Sequence, residues 1–389
     1  MEQPTTRPVP RGSVDVVLVN YNSTRFLLRS VASLLEHATP YLARVVVVDN
    51  ASRPDEGASL ASLPPGVTLV RAPRNLGFAA ACNLGAARGD APTLLFLNPD
   101  TMVLPETVPG LLRALEQHHG AALVGPRQHP DRSRTMTVSP LVGTSLLADA
   151  THALYERGWL GERSLHLLRW RAELLQAAEP VRVRGLSGAA LAMGRAVFQA
   201  LGGFDERYFL YVEDTDLCLR ARDRGVAILY LPHVGVVHFI DQSARQDRQT
   251  ALDAAAAGRE AFFAKRHSRI VRAAARAAAA AATRLPLRGH RADRAVPHDP
   301  DGPFRFPASP RGRGVFELAR SPLFDNCLTA FFRGDAFRLP DDVLSHLTAE
   351  PCFARLAEET GPGRWEERAL FRVERRSTGS RASAAGAAS

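Results

Sequence analysis

The stretch that most constrains this chain is Leu94-Leu95-Phe96-Leu97-Asn98-Pro99-Asp100-Thr101. An apolar run stops at an amide, a proline and a carboxylate. Such a run, bounded by turn formers, reads as a strand buried on both faces in the middle of a sheet. In open α/β sheets ligands bind beyond the carboxyl ends of the strands. An Asp in that place can hold a divalent metal, and the metal can hold a diphosphate. Asn-Pro-Asp is also a plain turn sequence, so a ligand site at Asp100 needs partners from elsewhere in the chain.

Earlier segments have the same form. Val14 to Val19 is apolar apart from Asp15 and ends at Asn20-Tyr21-Asn22-Ser23, while Arg44 to Val48 ends at Asp49-Asn50. Ser23 or Thr24 can cap a helix carrying Phe26, Leu27, Val31, Leu34 and Leu35 at helical spacing. Val67 to Val70 is a shorter strand leading into Arg74-Asn75-Leu76-Gly77-Phe78, and a small-residue helix over 79–88 precedes the Asp100 strand. Strands alternating with helices predict an α/β fold with a Rossmann-like, mostly parallel sheet flanked by helices. At one edge of that sheet Tyr21 offers an aromatic face for a base. Asp49 offers acceptors for a base N–H or a ribose hydroxyl, Asp100 a metal ligand, and Arg74 a cation for base or phosphate. No Gly-x-Gly-x-x-Gly follows the first strand, which argues against a dinucleotide site.

Further along, 184–193 reads as a glycine-bearing turn and a strand, and Gly202-Gly203 stops a short helix. Glu213-Asp214-Thr215-Asp216 opens an amphipathic helix, and strands follow over 227–231 and 234–238. Residues 250–284, rich in Ala and Arg, predict one long helix. The Pro, Gly and Arg content of 285–313 predicts a linker. Apolar residues return over 314–376, enough for a small module of no evident role; 1–12 and 377–389 read as a disordered lead and tail.

The formal net charge of +9 is unevenly placed. Residues 243–313 hold fifteen Lys and Arg against six Asp and Glu, so the rest of the chain is neutral in sum. A basic excess confined to one helical and linker segment points to an anionic surface touched there, not to nucleic acid, for which no basic–aromatic motif exists. Lys265 is the sole lysine, and the arginine usage reflects a GC-rich genome. Cys82, Cys218, Cys327 and Cys352 form no Cys-x-x-Cys pair and read as reduced core residues of a cytosolic protein. The N-terminus has no apolar segment of the signal-peptide kind, and no run of apolar residues is long enough to span a bilayer.

From about Val14 to Ser243 the chain resembles the family 2 glycosyltransferases of the GT-A fold, in their rhamnosyltransferase-like branch. The blocks that carry the resemblance are Val16 to Asn22, Val48 to Ser52, Asn75-Leu76-Gly77-Phe78 with Asn83, Leu97 to Asp100, Leu186 to Ala189, Gly202 to Phe209 and Glu213 to Arg220, all in order. The resemblance places a glycosyltransferase domain over 13–250, with the helix of 251–284 as an extension. It implies nucleotide-sugar binding by Asn20, Tyr21, Asn22, Asp49, Arg74, Asn75, Gly77, Asn98, Asp100 and Gly188. Asp100 ends the family's Asp-x-Asp motif and is implied to bind Mg2+ or Mn2+. The first Asp of that motif is Asn98 here, a weaker anchor. His238 is then implied as a further metal ligand, with a core histidine as the other reading and His233 as a weaker rival.

Asp214 matches the catalytic base, with Glu213 beside it; Glu213 and Asp216 can also serve only as charges at a helix N-terminus. Trp159 and Trp170 can stack on an acceptor sugar or sit in a core. The implied activity is inverting, metal-dependent hexosyl transfer from a nucleoside-diphosphate sugar to a glycan or lipid-linked hydroxyl in cell-envelope polysaccharide synthesis. Rhamnose is favoured, with galactofuranose or glucose as alternatives. The expected place is the cytoplasm, or the inner face of the cell membrane if 251–284 makes a peripheral membrane contact. A catalytically weak GT-A domain that binds or scaffolds is the rival, favoured only by Asn98.

Overall fold

The structure, a computed structural model, describes residues 11–139, 145–159, 163–240, 248–286, 288, 295–321, 324, 326–347 and 352–374. The lead expected at 1–12 lies almost wholly outside them, and the tail expected at 377–389 entirely so.

The chain opens with β1 (Val14–Asn20), α1 (Thr24–Ala38), β2 (Leu42–Asp49), α2 (Pro54–Ser59), β3 (Val67–Arg71), α3 (Phe78–Ala86), β4 (Thr93–Leu97), β5 (Thr101–Val103), α4 (Thr107–Gln117) and β6 (Ala122–His129). Next come β7 (Thr137–Val138), α5 (Ala148–Glu156), α6 (Arg163–Leu175), β8 (Val181–Arg182), β9 (Ala190–Gly194), α7 (Arg195–Leu201), α8 (Glu213–Asp223), β10 (Ala227–His238), α9 (Arg248–Arg266) and α10 (Arg269–Arg284). The last are β11 (Val296–His298), β12 (Phe304–Arg305), β13 (Gly314–Ala319), β14 (Cys327–Phe332), β15 (Ala336–Phe337), α11 (Asp341–His346), β16 (Cys352–Gly361) and β17 (Arg364–Val373).

Two compact units result. One gathers Met1–His129, Pro140–Leu146 and Leu174–Ala275; the other gathers Pro130–Ser139, Leu147–Glu173 and Arg276–Ser389. The first holds a nine-stranded sheet in the order β3-β2-β1-β4-β9-β6-β10-β5, with β8 on β10. From β3 to β4 every pairing is parallel, as the βα alternation predicts. Beyond β4 the sheet is mixed: β9 is antiparallel to both neighbours, β10 is parallel to β6, and β5 is antiparallel to β10. All of β1 is buried, and Val16 and Leu18 pack with Leu27, Val31 and Leu34, the predicted inner face of α1. Each such side chain contributes roughly 1.5–3 kcal/mol by leaving water. The strands expected over 227–231 and 234–238 are one strand, β10, with a register shift between Leu231 and Gly235 where Pro232 cannot donate to the ladder.

The single helix expected over 250–284 is two. Ser268 separates α9 from α10, and its Oγ accepts from the Val271 N–H at 3.3 Å, as a helix-starting serine does. The stretch read as a linker holds the short strands β11 and β12. They belong to the second unit, whose larger sheet runs β11-β17-β16-β13-β14-β7 over a core of Phe304, Phe316, Phe337 and Phe371. All four cysteines are buried and free. No helix among the described residues is long and apolar enough to cross a membrane.

Candidate active site

Strands β1 and β4 lie side by side at the centre of the sheet and end together, Leu18 opposite Leu97. Residues just past their carboxyl ends therefore converge. A cavity of about 320 Å3 opens there, lined by Tyr21, Asn75, Gly77, Asn98, Asp100, Gly188, Glu213, Asp214 and His238 among others. Nine of the residues implicated by the sequence thus meet in one place, although they come from widely separated blocks.

The cavity floor is set by β4 and β10. The Asn98 N–H donates to Ala189 O at 2.9 Å, and the Phe239 N–H donates to Asp100 O at 3.0 Å. Asp100 and His238 are nearly buried, with His238 Nε2 3.3 Å from Asp100 Oδ1 and 3.5 Å from Asn98 Nδ2. His238 Nδ1 lies 2.9 Å from Gln128 Oε1, an acceptor, so Nδ1 carries the proton. A cation held between Nε2 and that carboxylate would need Nε2 unprotonated, with its lone pair towards the ion. No cluster of three or more His, Cys, Asp or Glu residues suited to a metal exists among the described residues. Asp100 and His238, with Asn98 adjoining, are the groups there that could act as metal donors.

The other chemical group is the start of α8. Asp214 Oδ2 accepts from the Gly188 N–H at 2.9 Å, and its Oδ1 from the Thr215 N–H at 2.6 Å. Burial raises the Asp214 carboxyl above its ordinary value, against these hydrogen bonds. Glu213 is 5% exposed, and its Oε2 has no hydrogen-bond partner among the described residues. Burial, helped by the neighbouring Asp214, pushes it up to about 8. The turn before α8 is left-handed at Tyr211 (φ 68°) and Val212 (φ 73°), rare for a β-branched residue. Opposite it stands Gly77 at φ 83°: a Cβ there would lie 2.4 Å from Phe209 O, so only glycine lets the two backbones meet.

Four implicated residues do not line the cavity. Asn20 is fully buried and donates through Nδ2 to Thr24 and Ser52 Oγ, while its Oδ1 accepts from Ser23. Asn22 Oδ1 accepts from the Arg53 N–H at 2.8 Å. Asp49 accepts from Arg71 at 3.0 Å and from the Ser52 N–H at 3.2 Å. Arg74 is exposed outside the cavity. The polar atoms of the first three bind the protein's own loops. Asp216 is buried behind the site, paired with Arg220 at 2.7 Å. Trp170 is half exposed, and Trp159 lies under the Arg288 guanidinium, 3.4 Å from the ring centroid; neither lines the cavity.

Sequence reasoning passed over Asn50, whose Oδ1 accepts from the Leu76 N–H at 2.9 Å and whose Nδ2 donates to Asn75 at 2.9 Å. Its place beside Asp49 was the available signal. Thr250 and Ala251, at the start of α9, also line the cavity, and no local pattern marks them.

The chain is similar in sequence to known glycosyltransferases. The family model for glycosyl transferase family 2 matches residues 15–199. N-acetylglucosaminyl-diphospho-decaprenol L-rhamnosyltransferase of Mycobacterium tuberculosis is 32% identical over 265 residues, which is 65% of this chain and 84% of that one. The dTDP-rhamnosyl transferase RfbF of Shigella flexneri is 24% identical, over 59% of this chain and 70% of that one. Among solved structures the chain is similar to mannosyltransferase PcManGT from Pyrobaculum calidifontis in complex with GDP-Man and Mn2+, at 18% identity and a TM-score of 0.47, covering 72% of this chain and 75% of that one. Sheet, cavity and matched sequence define the class, a glycosyltransferase of the GT-A fold. Within it, the chain belongs to the family 2 glycosyltransferases and is rhamnosyltransferase-like.

Proposed function

We propose that the first unit catalyses inverting transfer of a sugar, rhamnose first among candidates, from a nucleoside diphosphate to a hydroxyl. The acceptor is a glycan or a lipid-linked sugar of cell-envelope polysaccharide synthesis. The observation that carries this reading is that Asp100 and Asp214 line one cavity. The names of the relatives support rhamnose, since two of them act as rhamnosyl transferases.

Asp214 is the base. It takes the proton from the acceptor hydroxyl as that oxygen bonds to the anomeric carbon and the bond to the diphosphate breaks, releasing the nucleoside diphosphate. The Gly188 N–H orients its carboxylate, and Gly188 itself lets the sugar approach. Tyr21, 39% exposed in the cavity, is placed to face the base. Three carboxyl groups and no Arg or Lys line the cavity among the described residues. A diphosphate there needs a cation, and Asp100 and His238 would hold Mg2+ or Mn2+. When bound, that ion supplies charge neutralisation to the leaving diphosphate. Asn98 alone favours the rival reading of a binding domain.

Release of dTDP from dTDP-L-rhamnose, measured with Mn2+ and with EDTA, separates the readings. We expect metal-dependent release, and expect dTDP-L-rhamnose to raise the melting temperature more than UDP or GDP sugars do. No release, and no stabilisation by any sugar nucleotide, would overturn the assignment.

The membrane contact falls on α10, which contains no acidic residue. Ile270 and Val271 are 82% and 46% exposed, beside exposed Arg269, Arg276 and Arg284. This is the pattern of a helix lying on an anionic surface at the inner face of a membrane. The protein should float with phosphatidylglycerol vesicles and lose that binding on Ile270→Glu; equal flotation of both excludes the contact.

A further inference from the structure

We infer that Lys265 is a positioning residue for the transfer step: it latches α9 onto the start of α8 and so holds Asp214 in place. This rests on Asp214 being the base. The chain has 49 Lys and Arg together, and Lys265 is its one lysine. Its Nζ donates to Asp205 Oδ2 and to Asp216 Oδ1, each at 2.8 Å, and lies 5.9 Å from the centre of the Tyr208 ring. Asp216 is completely buried; its Oδ2 accepts from Arg220 at 2.7 Å and its Oδ1 from the Tyr208 hydroxyl at 3.3 Å. An ammonium is a compact charge with three donors, so it can bridge two carboxylates on different elements, where a planar guanidinium prefers to fork onto one.

What the latch spans gives it meaning. Between Asp205 and Asp216 lie the left-handed residues Tyr211 and Val212, and directly after them Glu213 and Asp214. Backbone of this kind persists only where its surroundings hold it. Helix α9 supplies that hold along its length. A Cβ at Gly258 would lie 3.2 Å from Tyr211 O and 3.4 Å from Leu210 O, so the helix backbone lies close against the turn. Phe262 and Phe263 pack with Tyr208 and Val212. The first turn of α9 brings Thr250 and Ala251 to the cavity wall. Lys265 does not line the cavity, so its influence on the chemistry passes through α8.

The experiment compares dTDP release from dTDP-L-rhamnose by the full chain, Lys265→Met, Lys265→Arg and Asp214→Asn. We expect Lys265→Met to lower kcat by about ten- to a hundredfold, up to the size expected of a catalytic group displaced by about 1 Å, with KM for dTDP-L-rhamnose within about twofold. Lys265→Arg, which keeps the charge but forks onto one carboxylate, should recover part of the lost rate. Because the chain has one lysine, the folded wild-type protein gives a second measurement should the Met variant not fold. Reductive methylation keeps the charge but leaves one N–H for two carboxylates, so it should lower kcat less than acetylation, which removes the charge as well. Unchanged kcat in Lys265→Met and in the acetylated protein, with Asp214→Asn inactive, overturns the role of Lys265 alone. So does a loss that neither the Arg variant nor methylation lessens, or one in which KM rises as kcat falls. Activity retained by Asp214→Asn overturns the base assignment itself, and this inference with it.

Discussion

Glu317 in the second unit and Glu213 in the first are both shut away from solvent, at 0% and 5% exposure. Glu317 accepts from Arg171 Nε at 2.8 Å and pairs with Arg355, both arginines being fully buried too. Arg171 also donates to Phe324 O, and Arg355 lies over the Phe324 ring. Burial works to raise the Glu317 carboxyl, but Arg355 and Arg171 outweigh it and hold the group below its ordinary value. Glu213 has a carboxylate neighbour in place of a cation, and it is pushed up. A buried acid that the fold completes serves the scaffold. One left incomplete at a cavity wall is a candidate for contact with a ligand. The two groups also respond oppositely to pH. The stabilisation from Glu317 is present above its unfolded value and lost as pH falls. The penalty from Glu213 is absent in acid and grows as pH rises.

The largest effect should come from the cavity. Asp214→Asn keeps the shape of the side chain but cannot take a proton, and a general base contributes about 10²–10⁴-fold. Donor turnover by this variant should fall by that much, with the melting temperature little changed. A loss under tenfold would make Asp214 only a charge in the first turn of α8 and dissolve the contrast. Next is Glu317→Gln, which leaves two arginines buried against a neutral amide. Breaking a buried pair costs about 3–5 kcal/mol, readable by urea denaturation. Wild-type stability would mean that the Glu317 network is indifferent and that the two acids differ less than their surroundings suggest.

Much of this was legible in the sequence, and the misses have physical causes. Strand ends at Asn20, Asp49 and Leu97 could be read because apolar runs stop sharply at or near them. That β9 enters the sheet antiparallel between β4 and β6 was not legible, because a five-residue apolar strand carries no mark of its direction. Residue type alone could not separate Asp49, bonded by Arg71 of β3 and by the Ser52 N–H, from Asp100, which faces the cavity. The difference lies in a long-range neighbour. Thr250 was invisible for the same reason: it reaches the cavity only because Gly258, Phe262 and Lys265 dock α9. The break at Ser268 was legible, since serine favours helix starts over interiors, but the alanine content on both sides masked it.

The effect at Glu213, which depends on pH, sharpens the comparison most. Glu213 has an ordinary value of 4.5 and is pushed up to about 8 in the fold. Between those values the unfolded chain has released a proton that the folded chain keeps, so stability falls as pH rises, by up to about 1.4 kcal/mol per unit. Below 4.5 the effect is absent, and above about 8 it is complete. Glu213→Gln removes the ionisation and keeps the shape. Its melting temperature should match the wild type near pH 4.5 and exceed it by a few degrees at pH 8. Turnover tests the role that follows: if the neutral acid is the working form, the Gln variant keeps most of its rate at pH 7 and holds it into alkaline pH where the wild type declines. A melting difference that does not change with pH would show that Glu213 is ionised in the fold, with a partner that makes it resemble Glu317.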